Sequence, residues 1–142
     1  MGVERDSALL AARHGGERWF TADAATRALG DRWMEWQNGF AEAQRDAFLN
    51  LVRREPAHRD TPAIAQSAEA TAKLMAILDA HLAEHRWLSG ETFGIGDIPM
   101  GVYAHTWFTL AIDRPDRRNV ARWYEDLRDR PGYAANVMIP LT

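Results

Sequence analysis

Two arginines give the chain its clearest candidate for ligand chemistry. Arg45 and Arg53 lie eight residues apart in a stretch with helical periodicity, and on an α-helix this spacing places them within about 80° of each other. Apolar residues at positions 48, 49 and 52 flank them. A guanidinium group binds a carboxylate through planar, charge-assisted hydrogen bonds, so the pair predicts a site for a small acid. The alternative is a solvated helix face on which Asp46 and Glu42 are the partners.

Histidines provide two further candidates. His81, Glu84 and His85 match the inverted zinc-protease pattern, in which two histidines share a helix face and the glutamate activates water. They fall at the end of a predicted helix, and no second acidic helix supplies a third ligand, so we interpret them as an exposed polar face and expect no metal. His105 stands in an apolar segment, where a hydrogen-bonded core histidine is more common than a catalytic base.

Asp97 is an acid in apolar surroundings, and its context is typical of a helix N-terminus. The sequence predicts Gly94 as N-cap, Asp97 as the third helical residue, and Phe93 packed on Ile98 as a hydrophobic staple. Asp97 would then accept hydrogen bonds from the free amides of the first turn. We therefore expect a structural role, for which loss of the carboxylate costs about 0.5–2 kcal/mol.

The elements that must position these residues are all helical. Residues 8–13 predict a short helix that glycines end, and residues 23–54 and about 64–84 predict two long amphipathic helices that pair antiparallel. Residues 98–112 are apolar on nearly every side and predict a central buried helix. An amphipathic helix before Pro131 and one more turn complete the pattern, and no segment alternates like a strand. We predict an all-α bundle of five to six helices.

Composition narrows the class of protein. The 142 residues are 46% hydrophobic and 26% charged, the balance of one globular domain. The net charge is −3 and the arginines are interleaved with acids, which argues against nucleic-acid binding. No apolar run approaches the roughly 20 residues that span a bilayer, and no secretory signal is visible, so we expect a cytoplasmic protein without membrane contact. The absence of cysteine excludes disulfides and a cysteine nucleophile.

The order of short motifs carries a family resemblance. The sequence reads Trp-Leu-Ser-Gly at 87–90, Phe-Gly-Ile-Gly-Asp-Ile-Pro at 93–99, Arg-Asn-Val-Ala-Arg-Trp-Tyr at 118–124 and Val-Met-Ile-Pro-Leu at 137–141. From Trp19 to the end it resembles the C-terminal helical domain of glutathione transferases, in particular a bacterial branch. Gly94 departs from the family pattern, which usually has Ser or Thr there.

The resemblance implies a site for the electrophilic substrate. Five aromatic residues fall on the helices that line the electrophile pocket in this family: Trp36, Phe40, Tyr103, Trp107 and Phe108. The first four are the candidate substrate-binding residues. In the bacterial branch, arginines at the places of Arg45 and Arg53 face the same pocket. Because aromatic stripes at helical spacing are usually core, we expect about two of the aromatic side chains to contact a ligand.

The resemblance also implies what these residues do not supply. The family's glutathione site and its sulfur-activating group belong to an N-terminal thioredoxin-like domain, most of which we expect to be absent from these residues. Asp6 and Ser7 only partly match the Glu-Ser of that domain's last helix, because Ser7 is too close to Leu10, so Ser7 is not assigned to glutathione. We divide the chain into a remnant helix and linker at 1–20 and a helical domain at 21–142.

Two functions remain open at this point. The first is a glutathione transferase that conjugates or dehalogenates small electrophiles in detoxification, in which this domain contributes the electrophile pocket. The chain alone would then be inactive, with no catalytic residue and no cofactor of its own, and glutathione would be a co-substrate of the completed enzyme. The alternative is a non-catalytic interaction or dimerisation module. In either case an uncovered apolar patch should favour a homodimer or a thioredoxin-like partner domain.

Overall fold

The computed structural model describes residues 3–142, apart from the side chains of residues 3–5, 7 and 8, so the expectation for Ser7 lies outside the described part. Its helices are α1 (Val3–His14), α2 (Gly16–Trp19), α3 (Ala24–Phe48), α4 (Thr61–Glu84), α5 (Asp97–Thr109), α6 (Arg118–Arg128) and α7 (Pro131–Asn136). No strand occurs within the described residues, so the all-α prediction is confirmed. The described residues form seven helices, where the sequence predicted five to six. The additional helix is α2, a single turn in the segment that we expected to be a linker.

The first long helix begins and ends as its sequence dictates. The Asp23 side chain accepts a hydrogen bond from the backbone N–H of Thr26 at 2.8 Å, which caps α3. A π-helical turn, Leu49–Arg53, continues α3, and a 3₁₀ turn, Pro56–His58, leads into α4. Asp60 caps α4 through the N–H of Ala63 at 3.0 Å.

Helices α3 and α4 form the antiparallel pair that the sequence predicts. Near the connecting turn, Ser67 of α4 accepts from the Ala47 amide at 3.1 Å and donates to the Ala43 carbonyl. At the far end, the rings of Trp33 and His81 lie 4.9 Å apart. Because early residues of one helix meet late residues of the other, the two run in opposite directions.

Helix α5 packs against α3 and enters the core, with Met100, Ala104 and Trp107 fully buried. The prediction of burial on every side is wrong for one face. Ile98 is 41% exposed and Val102, one turn later, is 45% exposed. This apolar face lacks a covering element within the described residues.

The last two helices close the core against α4 and α5. Asp79 of α4 accepts hydrogen bonds from the amides of Asn119 and Val120 at 2.9 and 3.1 Å, and so caps α6 from a distant element. Tyr133 of α7 donates its hydroxyl to the Gly101 carbonyl at 2.7 Å. None of the helices in the described residues combines the length and the hydropathy that a membrane span requires.

Candidate functional site

An aromatic row runs between α3 and α5 and contains three of the predicted ligand-binding residues. The ring centroids of Trp36 and Phe40 are 5.3 Å apart, and those of Phe40 and Tyr103 are 6.3 Å apart. Trp36 also meets the buried ring of Trp33 edge to face at 4.9 Å. The structure therefore brings Trp36, Phe40 and Tyr103 together, as the pattern of one helix face indicates.

The aromatic residues differ in how much surface they offer a ligand. Phe40 and Trp107 are fully buried and pack within the core. Trp36 and Tyr103 are half-buried and keep part of their surface outside it. Phe108 stacks on Tyr124 with a centroid distance of 4.5 Å. Within this row, Trp36 and Tyr103 are therefore the residues that keep accessible surface.

Arg45 and Arg53 are both exposed. The Nε of Arg45 lies 3.9 Å from the Asp46 carboxylate, and the guanidinium of Arg53 lies 5.9 Å from the Phe48 ring centroid. The helix changes to π geometry at Leu49, so the 80° separation calculated for a continuous α-helix does not apply to this pair. The structure places neither arginine in the aromatic row.

Gln44 is a buried polar residue of this region that the sequence interpretation missed. Its Nε2 donates to the backbone carbonyl of Tyr103 at 3.0 Å, which fixes α5 against α3 beside the aromatic row. Its Oε1 is buried without a hydrogen-bond partner among the described residues. Gln44 lies one helical turn after Phe40, so a polar residue on the apolar face of the predicted helix was the available signal.

Asp97 holds α5 in place, but it does so differently from the predicted capping box. Helix α5 begins at Asp97 with Gly96 as N-cap, so the assignment of Gly94 as N-cap is wrong by two residues. Gly94 nevertheless donates its N–H to Asp97 Oδ2 at 3.1 Å, which is the contact between these two residues that the predicted capping box requires. The predicted staple is wrong as well, since Ile98 is exposed and the Phe93 ring lies against Trp87 at 5.4 Å. The cause is the loop before α5, which folds back over the helix start.

Three further N–H groups converge on the same carboxylate. Leu88 N–H reaches Oδ1 at 2.8 Å, Ser89 N–H reaches Oδ2 at 3.3 Å, and the Trp123 indole reaches Oδ1 at 2.9 Å. Burial raises the pKa of the Asp97 carboxyl, and the hydrogen bonds from Leu88, Gly94 and Trp123 oppose that rise. All four N–H donors bind the Asp97 carboxylate within the protein interior, as expected for a carboxylate with a structural role.

The histidines hold local structure together. His81 Nε2 bonds the Leu88 carbonyl at 3.1 Å, and His85 lies 3.7 Å from the carboxylate of Glu91. His105 is the bonded core histidine that the sequence predicts, with Nδ1 3.0 Å from the Tyr124 hydroxyl and Nε2 3.0 Å from the Ile139 carbonyl. Among the described side chains, no group of three histidine or acidic residues could hold a metal ion.

A cleft of about 560 Å³ opens on another side of the molecule, between α2, the start of α3 and the loop before α5. Its lining includes Trp19, Phe93 and three arginines, and sequence reasoning missed it. Arg18 and Arg27 lie near the start of the chain and Arg130 near its end, so no local pattern could have grouped all three.

The chain resembles known proteins over almost its whole length. The family described as glutathione S-transferase, C-terminal domain, matches residues 43–131. The chain is 38% identical to glutathione S-transferase GstB of Escherichia coli strain K12 over 134 residues, which cover 94% of this chain and 64% of GstB. It is 32% identical over 106 residues to the disulfide-bond oxidoreductase YfcG of the same strain, covering 74% of this chain and 48% of YfcG.

A solved structure agrees with these sequence matches. The theta class glutathione S-transferase of Xanthomonas axonopodis pv. citri, with glutathione bound, superposes with a TM-score of 0.93 at 40% identity. The match covers 98% of this chain and 67% of that chain. The present chain spans 64% of the length of GstB, so these relatives are longer than the described domain. On this evidence the chain belongs to the glutathione S-transferase family and has the fold of its C-terminal helical domain.

Proposed function

We propose that this chain is the electrophile-binding helical half of a glutathione transferase. A thioredoxin-like domain, which the family resemblance implies, would bind glutathione and activate its sulfur, and the combined protein would conjugate or dehalogenate small electrophiles in the cytoplasm. The boundaries at 1–20 and 21–142 separate the linker from the helical domain. No residue of this chain is assigned to catalysis, and glutathione acts as a co-substrate.

One observation carries the proposal: an apolar strip on α5 and α1 that no described element covers. Ile98 and Val102 are exposed on the same face of α5, and Leu10 of α1 is 59% exposed. Leu10 and Ile98 also line one shared groove. Contiguous exposed apolar surface of this kind marks a docking site, because burying it gains about 25 cal/mol per Å². Docking of the thioredoxin-like domain on this strip would place glutathione beside the helical half.

The aromatic row would form the wall for the electrophile. Trp36 and Tyr103 offer ring surface, and Phe40 and Trp107 support them from the core. Arg45 and Arg53 would orient the carboxylate of a haloacid substrate from the rim. Within the completed enzyme these residues position the substrate.

A fusion protein tests the docking step. The family resemblance implies that GstB contains a thioredoxin-like domain, and we would join that domain to the N-terminus of this chain. We would then measure the conjugation of glutathione with 1-chloro-2,4-dinitrobenzene. The fusion should be active and the chain alone inactive. Val102→Glu should reduce the activity of the fusion at least tenfold, because a charge would be buried at the docking strip. Ile77→Glu is the matched control, since Ile77 is an exposed apolar residue (53%) on α4, outside the strip.

Calorimetry on the chain alone tests the substrate pocket. Chloroacetate should bind weakly, and Arg45→Ala should abolish the heat, whereas Arg13→Ala on α1 should leave it unchanged. Heat from neither glutathione nor chloroacetate, together with an inactive fusion, would favour the non-catalytic interaction module. We also propose a homodimer, which sedimentation at increasing concentration would detect.

A further inference from the structure

The cleft described above joins α2 and the start of α3, which are neighbours in the sequence, to the distant loop before α5 and to Arg130. Trp19 of α2 and Phe93 of the loop before α5 meet edge to face at 5.5 Å and form an aromatic wall. Gly30 and Ile95 also line the cleft. Its volume of about 560 Å³ lies within the range of small-molecule sites, about 300–1,000 Å³.

Three arginines line this cleft, and each guanidinium lies over an aromatic ring. Such stacking fixes the plane of the guanidinium and leaves its N–H edge available for a ligand. The distances from the guanidinium carbon to the ring centroid are 5.1 Å for Arg18 over Trp19, 5.0 Å for Arg27 over Phe20 and 3.7 Å for Arg130 over Phe93.

The lining of the cleft carries more positive than negative charge. Among the side chains that the structure describes, none of Arg18, Arg27 and Arg130 forms an ion pair with a carboxylate. Glu17 is the one acid in the lining, and its Oε2 already accepts the Ala22 N–H at 3.2 Å. Three arginines against one glutamate leave an excess of two positive charges.

The environment of Arg130 shows that its charge is only partly offset. Burial lowers the pKa of its guanidinium, and the nearby charge of Arg18 lowers it further, while Asp97 acts in the opposite direction. An anion placed between Arg18 and Arg130 would relieve this repulsion. The repulsion between the guanidinium groups raises the free energy of the unliganded cleft, and binding of an anion would lower it.

We propose that the cleft binds a small organic dianion with a flat apolar body, such as an aromatic dicarboxylate. Two carboxylates match the two excess charges and can pair with guanidinium edges. The aromatic body packs against the wall formed by Trp19 and Phe93. The three arginines belong neither to the aromatic row nor to the apolar strip on α5 and α1, although Trp19 and Ile95 of the cleft also line the groove beside that strip. Binding to the chain alone does not require the transferase activity, so the test below can fail without that function failing.

The test uses the chain as it is and phthalate as the probe. Calorimetric titrations at pH 7.5 would compare phthalate with benzoate, which has one negative charge, with neutral benzamide and with inorganic phosphate. We expect phthalate to bind at least tenfold more tightly than benzoate, and benzamide and phosphate to bind more weakly still. Phthalate should also shift the backbone amide resonances of Thr92, Gly94 and Ile95 in ¹H–¹⁵N spectra.

Variants locate the binding site. Arg27→Gln and Arg130→Gln should each weaken phthalate binding about tenfold, since each removes one charge-assisted contact. Arg32→Gln is the matched control because Arg32 lies on the same helix as Arg27 and stacks on Trp33 at a similar distance, 5.0 Å, but does not line the cleft. The Arg32→Gln variant should bind phthalate with the same affinity as the wild type. The absence of phthalate binding, equal affinity in all three variants, or phosphate binding as tight as phthalate would each overturn the proposal.

Discussion

Trp123 of α6 donates its indole N–H to the carboxylate of Asp97, with 2.9 Å between Nε1 and Oδ1. These residues are 26 positions apart, and the bond joins the start of the central helix to the last long helix. The same carboxylate holds the amides of the loop at Leu88 and Ser89. One buried side chain therefore fixes the relative positions of α5, α6 and the loop that precedes α5.

Removal of this carboxylate should cost more than the loss of a helix cap. Asp97→Ala leaves four N–H groups without their acceptor in the interior, and we expect the free energy of unfolding to fall by about 3–5 kcal/mol. Urea denaturation followed by circular dichroism measures the change. Asp129→Ala, at an exposed aspartate, should change stability by less than about 0.5 kcal/mol. A loss for Asp97→Ala of only about 1 kcal/mol would mean that the carboxylate acts merely as a cap.

Two glycines of α3 give a matched test of helix packing. A Cβ on Gly30 would lie 2.9 Å from Ile95 Cγ1, so Gly30→Ala should lower stability by about 1–3 kcal/mol. A Cβ on Gly39 would meet nothing within 4 Å, so Gly39→Ala should raise stability by about 0.5–1 kcal/mol through its helix propensity. Denaturation midpoints of the two variants should therefore move in opposite directions. Equal shifts would show that α3 does not approach the loop at Ile95 as described.

The long helices could be predicted from the sequence because their signals are local. Periodic apolar residues and an aspartate at each N-cap define α3 and α4, and the apolar face of α6 is equally regular. The role of His105 as a hydrogen-bonded core histidine could also be predicted, because a buried imidazole needs a partner, but its partner Tyr124 could not.

The arrangement of side chains between elements could not be predicted. Three of the four N–H donors to Asp97 belong to the loop before α5, which folds back over the start of that helix. No local feature of the sequence indicates that the loop folds in this way. The π-helical turn at Leu49–Arg53 has no clear sequence marker, so the relative direction of Arg45 and Arg53 was beyond prediction. The same is true of the arginine cleft, because Arg18 and Arg130 come from opposite ends of the chain and meet through tertiary packing alone.

The C-terminal segment should depend on His105. Its Nε2 bonds the Ile139 carbonyl and its Nδ1 bonds the Tyr124 hydroxyl, so His105→Leu removes both contacts. We expect the free energy of unfolding to fall by about 1–3 kcal/mol. Hydrogen exchange at the Ile139 amide, whose N–H donates to the Val137 carbonyl at 2.8 Å, should become faster. Tyr124→Phe keeps the bond to Ile139 and should leave that exchange rate unchanged. Unaltered exchange in His105→Leu would contradict the anchoring role.

His81 should make stability depend on pH in the weakly acidic range. Burial lowers the pKa of its imidazole below the ordinary value of 6.5, and the charges of His85 and Arg32 act in the same direction, against the hydrogen bonds to the Leu88 and Trp87 backbone. The unfolded chain then binds the proton more readily than the folded chain. Stability from this residue is present above pH 6.5 and is lost as the pH falls through the lowered folded-state pKa.

The substitution His81→Gln isolates this effect, because glutamine can still donate to the Leu88 carbonyl but does not titrate. Urea denaturation of both proteins between pH 5 and pH 8 gives the difference in their free energies of unfolding. That difference should move in favour of the variant as the pH falls below 6.5, since only the wild type takes up the destabilising proton. His58→Gln, at an exposed histidine in the loop before α4, is the matched control and should follow the wild-type profile. A difference between His81→Gln and the wild type that stays constant across this range would rule out His81 as the source of the dependence.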